Sequence, residues 1–370
     1  MYGGGSANES VDLRASDGVP VSVVIPAYNA GNTIAETLCS VLAQTHRPLD
    51  IVVVDDGSRD DTREVLRSFG DAIRVIHQAN SGIGVARNRG LAEARAPFIA
   101  LLDADDLCLP ERIAVQLKYL LAHPDILLCS SDFGAFDEHG LLADSYIASY
   151  YTSCSPQRGG VHARYPLHGT FDIADVLQPS GREPVIVAED HGRVYEQLAF
   201  GNFIHPPTVM FRRETLAVAG TFDPTEKIVC EWEWFVRVAR CGNIGYIDRP
   251  LLRYRRSATQ ISSDPQTPAD SLSVAHKIHA RDPDFRRRFP EAVRRQFGVL
   301  NLDAADAVVE IDRRKSLRLL SASVFAYRVL RGQTLRTLVK ILLPAWLLQI
   351  LRALRRRRSA PRNANLSNGR

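Results

Sequence analysis

The run Phe98-Ile99-Ala100-Leu101-Leu102 is apolar and stops on Asp103-Ala104-Asp105-Asp106. A short apolar run bounded by turn-forming residues reads as a strand buried on both faces of a parallel sheet. The carboxylates then stand at its carboxyl end, the edge where open α/β sheets bind ligands. On an extended chain Asp103 and Asp105, two residues apart, project to the same side. Carboxylates gathered there repel unless a positive charge lies between them, and hard oxygen ligands suit Mg²⁺ or Mn²⁺. The plainer alternative is an acidic lead into a helix whose first turn holds Pro110 and Glu111. Taken by itself, the motif leaves both readings open.

The flanking sequence repeats this design. Val21 to Ile25 is a first strand that ends in Pro26-Ala27-Tyr28-Asn29. Thr33 and Glu36 have capping-box spacing, and Ile34, Leu38, Val41 and Leu42 form one helical stripe. Ile51 to Val54 is a second strand ending in Asp55-Asp56-Gly57-Ser58, with Asp61 and Glu64 again at capping spacing. Ile73 to Ile76 is a third, followed by a helix carrying Arg87, Asn88 and Leu91. The opening run is the fourth strand, Ile113 to Leu121 a helix, and Ile126 to Cys129 a further strand. Such alternation predicts a doubly wound, mainly parallel α/β sheet flanked by helices. Asp55 and Asp56 fit Asx-turn roles as well as ligand roles. Three polar loops on one sheet edge favour a shared site.

The rest of the chain is less regular. Residues 131 to 204 hold Tyr146, Tyr150, Tyr151 and Tyr165 among Gly, Ser, Pro and His, with poor periodicity. They read as an acceptor-binding insertion or an irregular connection. His162, His168 and His191 lack metal-ligand spacing and read as surface or loop residues. A short strand follows at Thr208 to Phe211, then a helix opening at Cys230-Glu231-Trp232-Glu233. Glu231 and Glu233 face different ways on a helix, so one can address a site while the other is solvated. Ile244 to Ile247 and Leu251 to Tyr254 read as closing strands.

Composition excludes some classes. A net charge of +4 over 370 residues gives no bulk attraction for polyanions, so nucleic acid is not expected as a partner. Six scattered cysteines without Cys-x-x-Cys spacing read as reduced, mostly buried thiols of a cytoplasmic chain, with neither a zinc site nor a disulfide framework. Residues 1–19 lack a signal-peptide pattern and read as disordered, as do 359–370. From Ser271 onward the pattern is helical and increasingly basic. Ile341 to Leu351 is apolar, contains Trp346 and is followed by Arg352 and Arg355 to Arg358. That run is too short to span a bilayer. Lying in an anionic membrane interface on the inner face is favoured over simple packing on the domain.

Several stretches together resemble the family 2 glycosyltransferases, inverting enzymes of the GT-A fold. They are Val-Val-Ile-Pro-Ala-Tyr-Asn (23 to 29), Val-Asp-Asp-Gly-Ser (54 to 58), Ala-Arg-Asn-Arg-Gly (86 to 90), Leu-Asp-Ala-Asp-Asp (102 to 106), Gly-Thr-Phe-Asp (220 to 223) and the acidic-aromatic helix at Glu231. The resemblance runs from about Val21 to Arg256, without most of 140–200, and implies a GT-A domain over 20–260, with a nucleotide-sugar half to residue 130 and an acceptor half beyond it; the helical pattern after it gives an appendage over 261–358. It implies that Pro26, Ala27 and Tyr28 line the nucleotide pocket, that Asp56 bonds the base, usually uracil, and that Asn88, Asp103 and Ala104 face the donor. Asp105 is implied as the direct metal ligand with Asp103 beside it, and Glu231 as the general base. Two departures stand out. Cys230 occupies a position where the family often has an acid, which leaves Glu233 a competitor. Ser257 follows Tyr254-Arg255-Arg256 where the family often has a His, so Arg255 or Arg256 is the candidate electrostatic substitute.

The chemistry agrees with these residue types. A diphosphate leaves readily only when its charge is neutralised, and a divalent cation does this. An acceptor hydroxyl needs a carboxylate to take its proton. Direct attack inverts the anomeric centre without the second, nucleophilic carboxylate of a retaining hydrolase. The sequence thus points to transfer from a nucleotide-diphosphate sugar, UDP-linked by the resemblance, to a saccharide or glycolipid acceptor. A nucleotidyltransferase is the alternative enzyme, although the loop after the first strand lacks the basic, Gly-rich character that holds a triphosphate. A non-catalytic sugar-nucleotide binding module is the alternative outside enzymes.

Overall fold

A computed structural model describes residues 18–177, 183–257, 260 and 264–344. The chain divides into two compact units. The first runs to residue 263 and includes 277–281; the second comprises 264–276 and the residues from 282 onward.

The first unit is built on an eleven-stranded sheet. Its strands are β1 (Val21–Ala27), β2 (Leu49–Asp55), β3 (Arg74–His77), β4 (Phe98–Leu101), β5 (Leu107–Cys108), β6 (Ile126–Asp137), β7 (Gly140–Ala143), β8 (Leu167–Asp172), β9 (Ile186–Gly192), β10 (Met210–Arg212) and β11 (Asn243–Arg255). Their order is β3-β2-β1-β4-β10-β6-β11-β9-β8, with β5 on β11 and β7 on β6. β3, β2, β1 and β4 are mutually parallel. β10 enters antiparallel between β4 and β6. β1 is buried along its whole length, as a strand covered by helices on both faces must be. Because β1 lies between β2 and β4, their carboxyl ends bring Tyr28, Asp56 and Asp103 to one edge.

Several local expectations are corrected. The turn Asp103–Asp106 leaves the strand, with the Asp106 N–H donating to Asp103 O at 3.3 Å, so the extended-chain reason for pairing Asp103 with Asp105 does not apply. Neither Thr33 nor Asp61 caps its helix through its side chain. Thr33 is drawn away to Ala104 O at 2.9 Å, where a longer-range bond outcompetes the local cap. Asp60 instead accepts from Thr62 N at 3.1 Å and Gly31 N at 2.9 Å. The two closing strands are one long strand, β11, with register shifts near Pro250. The irregular stretch after residue 140 contributes β8 and β9 to the sheet edge, where cross-strand pairing supplies the order that periodicity lacked. All six cysteines are free, with Cys39 and Cys241 exposed and the other four buried.

Two loops show how tightly the edge is specified. Gly57 has φ +78°, and a Cβ there would lie 2.7 Å from Asn80 N, so the turn after β2 needs glycine. Asp55, fully buried, accepts from Ser58 N at 2.9 Å, Arg63 Nε at 2.7 Å and His77 Nδ1 at 2.9 Å. Burial opposes its charge, but the Ser58, Arg63 and His77 donors prevail and hold its pKa at about 2.

The second unit is helical, with helices Pro290–Val308, Arg313–Ser321 and Gly332–Leu342 packed on a core of Leu302, Ala305 and Leu320. Asp312 caps the second of these by accepting from Lys315 N at 2.9 Å. Among the described residues no helix is long and apolar enough to cross a membrane. The expected interfacial run lies mostly outside the described residues, from residue 345 onward.

Two outcomes test this packing. A Cβ on Gly90 would meet Val24 Cγ1 at 2.4 Å, so Gly90→Ala should cost about 1–3 kcal/mol as the helix Ile83–Glu93 is pushed off β1. An unchanged melting temperature would refute that close approach. Asp55→Asn should cost about 2 kcal/mol near neutral pH, the scale of charge-assisted hydrogen bonds. A depressed pKa stabilises only while the group is ionised. The deficit should therefore persist above the ordinary carboxylate value of 3.8 and close as pH falls toward 2. Urea midpoints of both proteins across that range measure it.

Candidate active site

The acidic turn after β4 is held from several sides. Thr33 and Thr37 hydroxyls donate to Ala104 O at 2.9 and 3.1 Å. The buried Arg112 guanidinium donates to Leu101 O at 2.9 Å and Val209 O at 3.3 Å, fixing the end of β4. Arg255 lies against the turn from β11: its N–H donates to Asp106 Oδ1 at 2.9 Å and its Nε to Asp105 O at 2.8 Å. Its guanidinium also sits over the Phe136 ring, 4.4 Å from the centroid. Arg255 is one of the two arginines that the sequence offered in place of a histidine.

The turn carries more negative charge than its neighbours neutralise. Burial, with Asp103 beside it, pushes Asp105 up to about 6. Burial, then Asp105 and Asp103, push Asp106 well above its ordinary value. Asp106 Oδ2 is buried and has no hydrogen-bond partner. Such a turn fits a divalent cation, whose charge would offset the repulsion among these carboxylates.

Glu231 reaches this turn through Arg87. The buried Arg87 donates from Nη2 to Asp103 Oδ1 at 2.8 Å, and its Nη1 lies 3.7 Å from Glu231 Oε2. Burial opposes the Arg87 charge, but Asp103, Cys230 and Glu231 outweigh it and raise its pKa. Burial raises Glu231 above the usual carboxylate value, against the pull of Arg87. Glu233 points elsewhere. It is buried and paired with Arg237 Nε at 2.9 Å, and with Arg281 on its other side. The helix Cys230–Cys241 thus turns one glutamate toward the acidic turn and commits the other to an internal ion pair.

The remaining expected residues serve partly as framework. Pro26 and Ala27 are buried in β1, and only Tyr28, 48% exposed, presents its side chain at the edge. Asp56 Oδ1 accepts from Gln78 Nε2 at 2.7 Å and Ser81 N at 2.9 Å, and Oδ2 accepts from Gly82 N at 2.9 Å. The carboxylate organises the loop before the helix Ile83–Glu93. Asn88 is engaged at both ends of its amide by the Phe222 backbone, at 2.8 and 2.9 Å, which ties that helix to the 220–223 segment.

Two residues at the site had no role in the sequence reading. Arg87 was part of a quoted motif. Its clue is a charged residue on the buried face of a helix, beside Ala86, Gly90 and Leu91. His205 is buried and stacked on Phe133 at 4.2 Å, with neither ring nitrogen bonded. Burial pushes its pKa down to about 3 despite Asp103, so the ring is neutral. Its clue is a lone histidine in the apolar, proline-fixed segment Ile204-His205-Pro206-Pro207. A buried imidazole with two unbonded nitrogens can donate to or accept from a bound hydroxyl.

Residues 22–154 match the family model described as glycosyl transferase family 2. An uncharacterized glycosyltransferase of Escherichia coli, YibD, is 36% identical over 124 residues, covering 32% of this chain and 36% of that protein. A putative teichuronic acid biosynthesis glycosyltransferase of Bacillus subtilis, TuaG, is 38% identical over 105 residues, covering 27% and 42%. An uncharacterized glycosyltransferase of Rickettsia felis is 35% identical over 134 residues, covering 36% and 22%. The match therefore spans less than half the length of each of these relatives. A mannosyltransferase of Pyrobaculum calidifontis, PcManGT, solved with GDP-Man and Mn²⁺, superposes with TM-score 0.52 at 17% identity, over 90% of this chain and 79% of that one. That likeness is one of fold, a GT-A sheet with flanking helices. Over residues 22–154, the chain is thus similar to glycosyl transferase family 2.

Proposed function

We propose that the protein is an inverting, metal-dependent glycosyltransferase that moves a sugar from a nucleotide-diphosphate donor to an acceptor hydroxyl. The observation that carries this reading is the single buried Arg87 between Asp103 and Glu231, at 2.8 and 3.7 Å. It holds a carboxylate base beside the acidic turn, where an excess of negative charge fits Mg²⁺ or Mn²⁺. Asp105 and Asp103 would hold that cation, which offsets charge on the departing diphosphate.

The chain's own residues carry the rest. The acceptor oxygen bonds to the anomeric carbon as the bond from that carbon to the diphosphate oxygen breaks. The acceptor proton passes to Glu231, and the nucleoside diphosphate departs. Burial makes Glu231 a stronger base than a solvated carboxylate, and Arg87 favours its ionised form and orients it. Tyr28 at the end of β1 is placed to meet the base or ribose. Asp56 keeps that role only through the lone pairs its three donors leave free. The donor is read as a UDP-sugar on the family resemblance. The acceptor is read as a saccharide or glycolipid of surface polysaccharide synthesis on the family resemblance, and TuaG is named for teichuronic acid biosynthesis.

Transfer is followed with a panel of nucleotide-sugars and acceptors, with donor affinity and melting temperature measured alongside. Glu231→Gln should keep donor binding and lose turnover by about a hundredfold or more. Asp105→Ala and EDTA should each abolish transfer. Glu233→Gln should lower the melting temperature far more than the turnover of the folded fraction. Normal turnover by Glu231→Gln, or full activity in EDTA, would overturn the assignment, and product identity separates sugar transfer from nucleotidyl transfer.

Peripheral membrane contact is the second part of the proposal, on the cytoplasmic face. The helix Gly332–Leu342 turns its polar side inward: Thr337 donates to Asp306 at 2.7 Å and Lys340 pairs with the same carboxylate. Its other side carries Leu335 and Leu342, which are 66% and 73% exposed, with Val339 between them. An outward apolar stripe ahead of a polybasic segment suits an anionic lipid interface. Leu335→Glu combined with Leu342→Glu, or truncation after Pro344, should lower binding to anionic vesicles about tenfold or more. Transfer to a soluble acceptor should persist. Equal vesicle binding by all forms would reject the contact.

A further inference from the structure

The edge of the sheet far from the acidic turn carries a second cluster of metal-ligating groups. β8 and β9 pair with His168 opposite Asp190, and β9 and β11 pair with Asp190 opposite Tyr246. Residues directly opposite in neighbouring strands share a face, so these three form a row. Asp248, two residues past Tyr246, lies on the same face. His162 comes from the short helical turn His162–Arg164 and closes over the row. Three strands, β10, β6 and β11, separate β9 from β4 in the sheet order.

Asp190 is buried, yet each of its oxygens meets an imidazole. His162 Nδ1 donates to Oδ2 at 2.5 Å and His168 Nδ1 to Oδ1 at 2.6 Å. Both histidines are about half exposed, while the carboxylate they bond is buried. The ligating atoms of all three residues lie within 4.8 Å of one another. The far nitrogen of His162, Nε2, lies 3.3 Å from Asp248 Oδ2. A metal-bound histidine characteristically donates its other ring N–H to a carboxylate, which fixes tautomer and ring orientation. His162 already has that arrangement, one nitrogen toward the shared centre and the other toward an orienting acid.

We propose that His162, His168 and Asp190 form a binding site for a borderline transition-metal cation, with Zn²⁺ the best fit, and that Asp248 orients His162. Two imidazoles and one carboxylate match three-ligand zinc sites that leave a fourth position to water. Bonds of about 2.0–2.1 Å set tetrahedral ligand atoms roughly 3.3 Å apart. Each present contact therefore opens by less than about 1 Å, a movement open to half-exposed side chains on a surface turn. On binding, each Nδ1 gives up its proton, and the N–H moves to Nε2, where His162 meets Asp248. The set contrasts with the acidic turn, whose all-oxygen donors suit harder cations. The role is a staple. The cation would tie the 159–166 turn to β8 and β9, ordering the segment that had no periodicity of its own. The site is independent of the transfer reading.

The full chain, freed of metal by chelation and held in millimolar Mg²⁺, is titrated with Zn²⁺ and, for its visible spectrum, Co²⁺. The wild type and Asp105→Ala should each take up one tight equivalent, give the intense visible bands of tetrahedral Co²⁺, and melt at a higher temperature with Zn²⁺. His168→Ala and His162→Gln should lose the bands and the thermal shift, and Asp248→Asn should weaken binding roughly ten- to a hundredfold. Circular dichroism checks that the variants fold, and the two histidine changes lie on different elements. No tight equivalent in the wild type, uptake lost in Asp105→Ala, or Co²⁺ bands retained in both histidine variants would overturn the site.

Discussion

The buried Arg87 guanidinium is the interaction on which the candidate active site depends. It joins the turn after β4 to the helix Cys230–Cys241, segments more than a hundred residues apart in the chain. A buried cation is costly unless paired, and here Asp103, Glu231 and the Cys230 sulfur surround it. The same pairing orients both carboxylates. Removing Arg87 would leave Glu231 buried without its guanidinium partner, so the placement of the two carboxylates is one constraint.

Around that pair, buried and half-buried polar side chains act as scaffold. Thr33 and Thr37 hold the Ala104 carbonyl, Arg112 holds the end of β4, Asn88 fastens a helix to Phe222, and Asp56 organises the loop before that helix. Sites of this kind need their supporting bonds as much as their reacting groups, because a small displacement of the base loses most of its effect. The protein invests buried polar bonds at the strand ends, where the backbone would otherwise be free to move.

The two proposed metal sites follow different chemistry on one sheet. The acidic turn lies at the carboxyl end of a parallel strand, gathers oxygen donors and is crossed by two arginines. The cluster at Asp190 lies on the antiparallel edge, gathers imidazoles around one buried carboxylate and has no arginine in it. Hard and borderline cations would therefore sort between them by ligand type. The placement also explains why the segment after residue 140 can be so poor in periodicity. Its order comes from cross-strand pairing and from side chains converging on Asp190.

Much of the first unit was legible in the sequence because buried parallel strands are continuous apolar runs and their ends are abrupt. That pattern located β1, β2 and β4, the edge they share and the acidic turn itself. Motif order sufficed for the family resemblance, and helical geometry already separated Glu231 from Glu233 by direction. Tertiary structure alone decided which glutamate faces the turn, because the answer depends on Arg87 on one side and on Arg237 with Arg281 on the other. It also decided that Thr33 abandons its cap for Ala104, that His205 is buried without a partner, and that His162 and His168 meet over Asp190. Each of these is a contact between residues distant in the chain. Local periodicity carries no information about such contacts, since it records which face of an element is buried and not what lies against it.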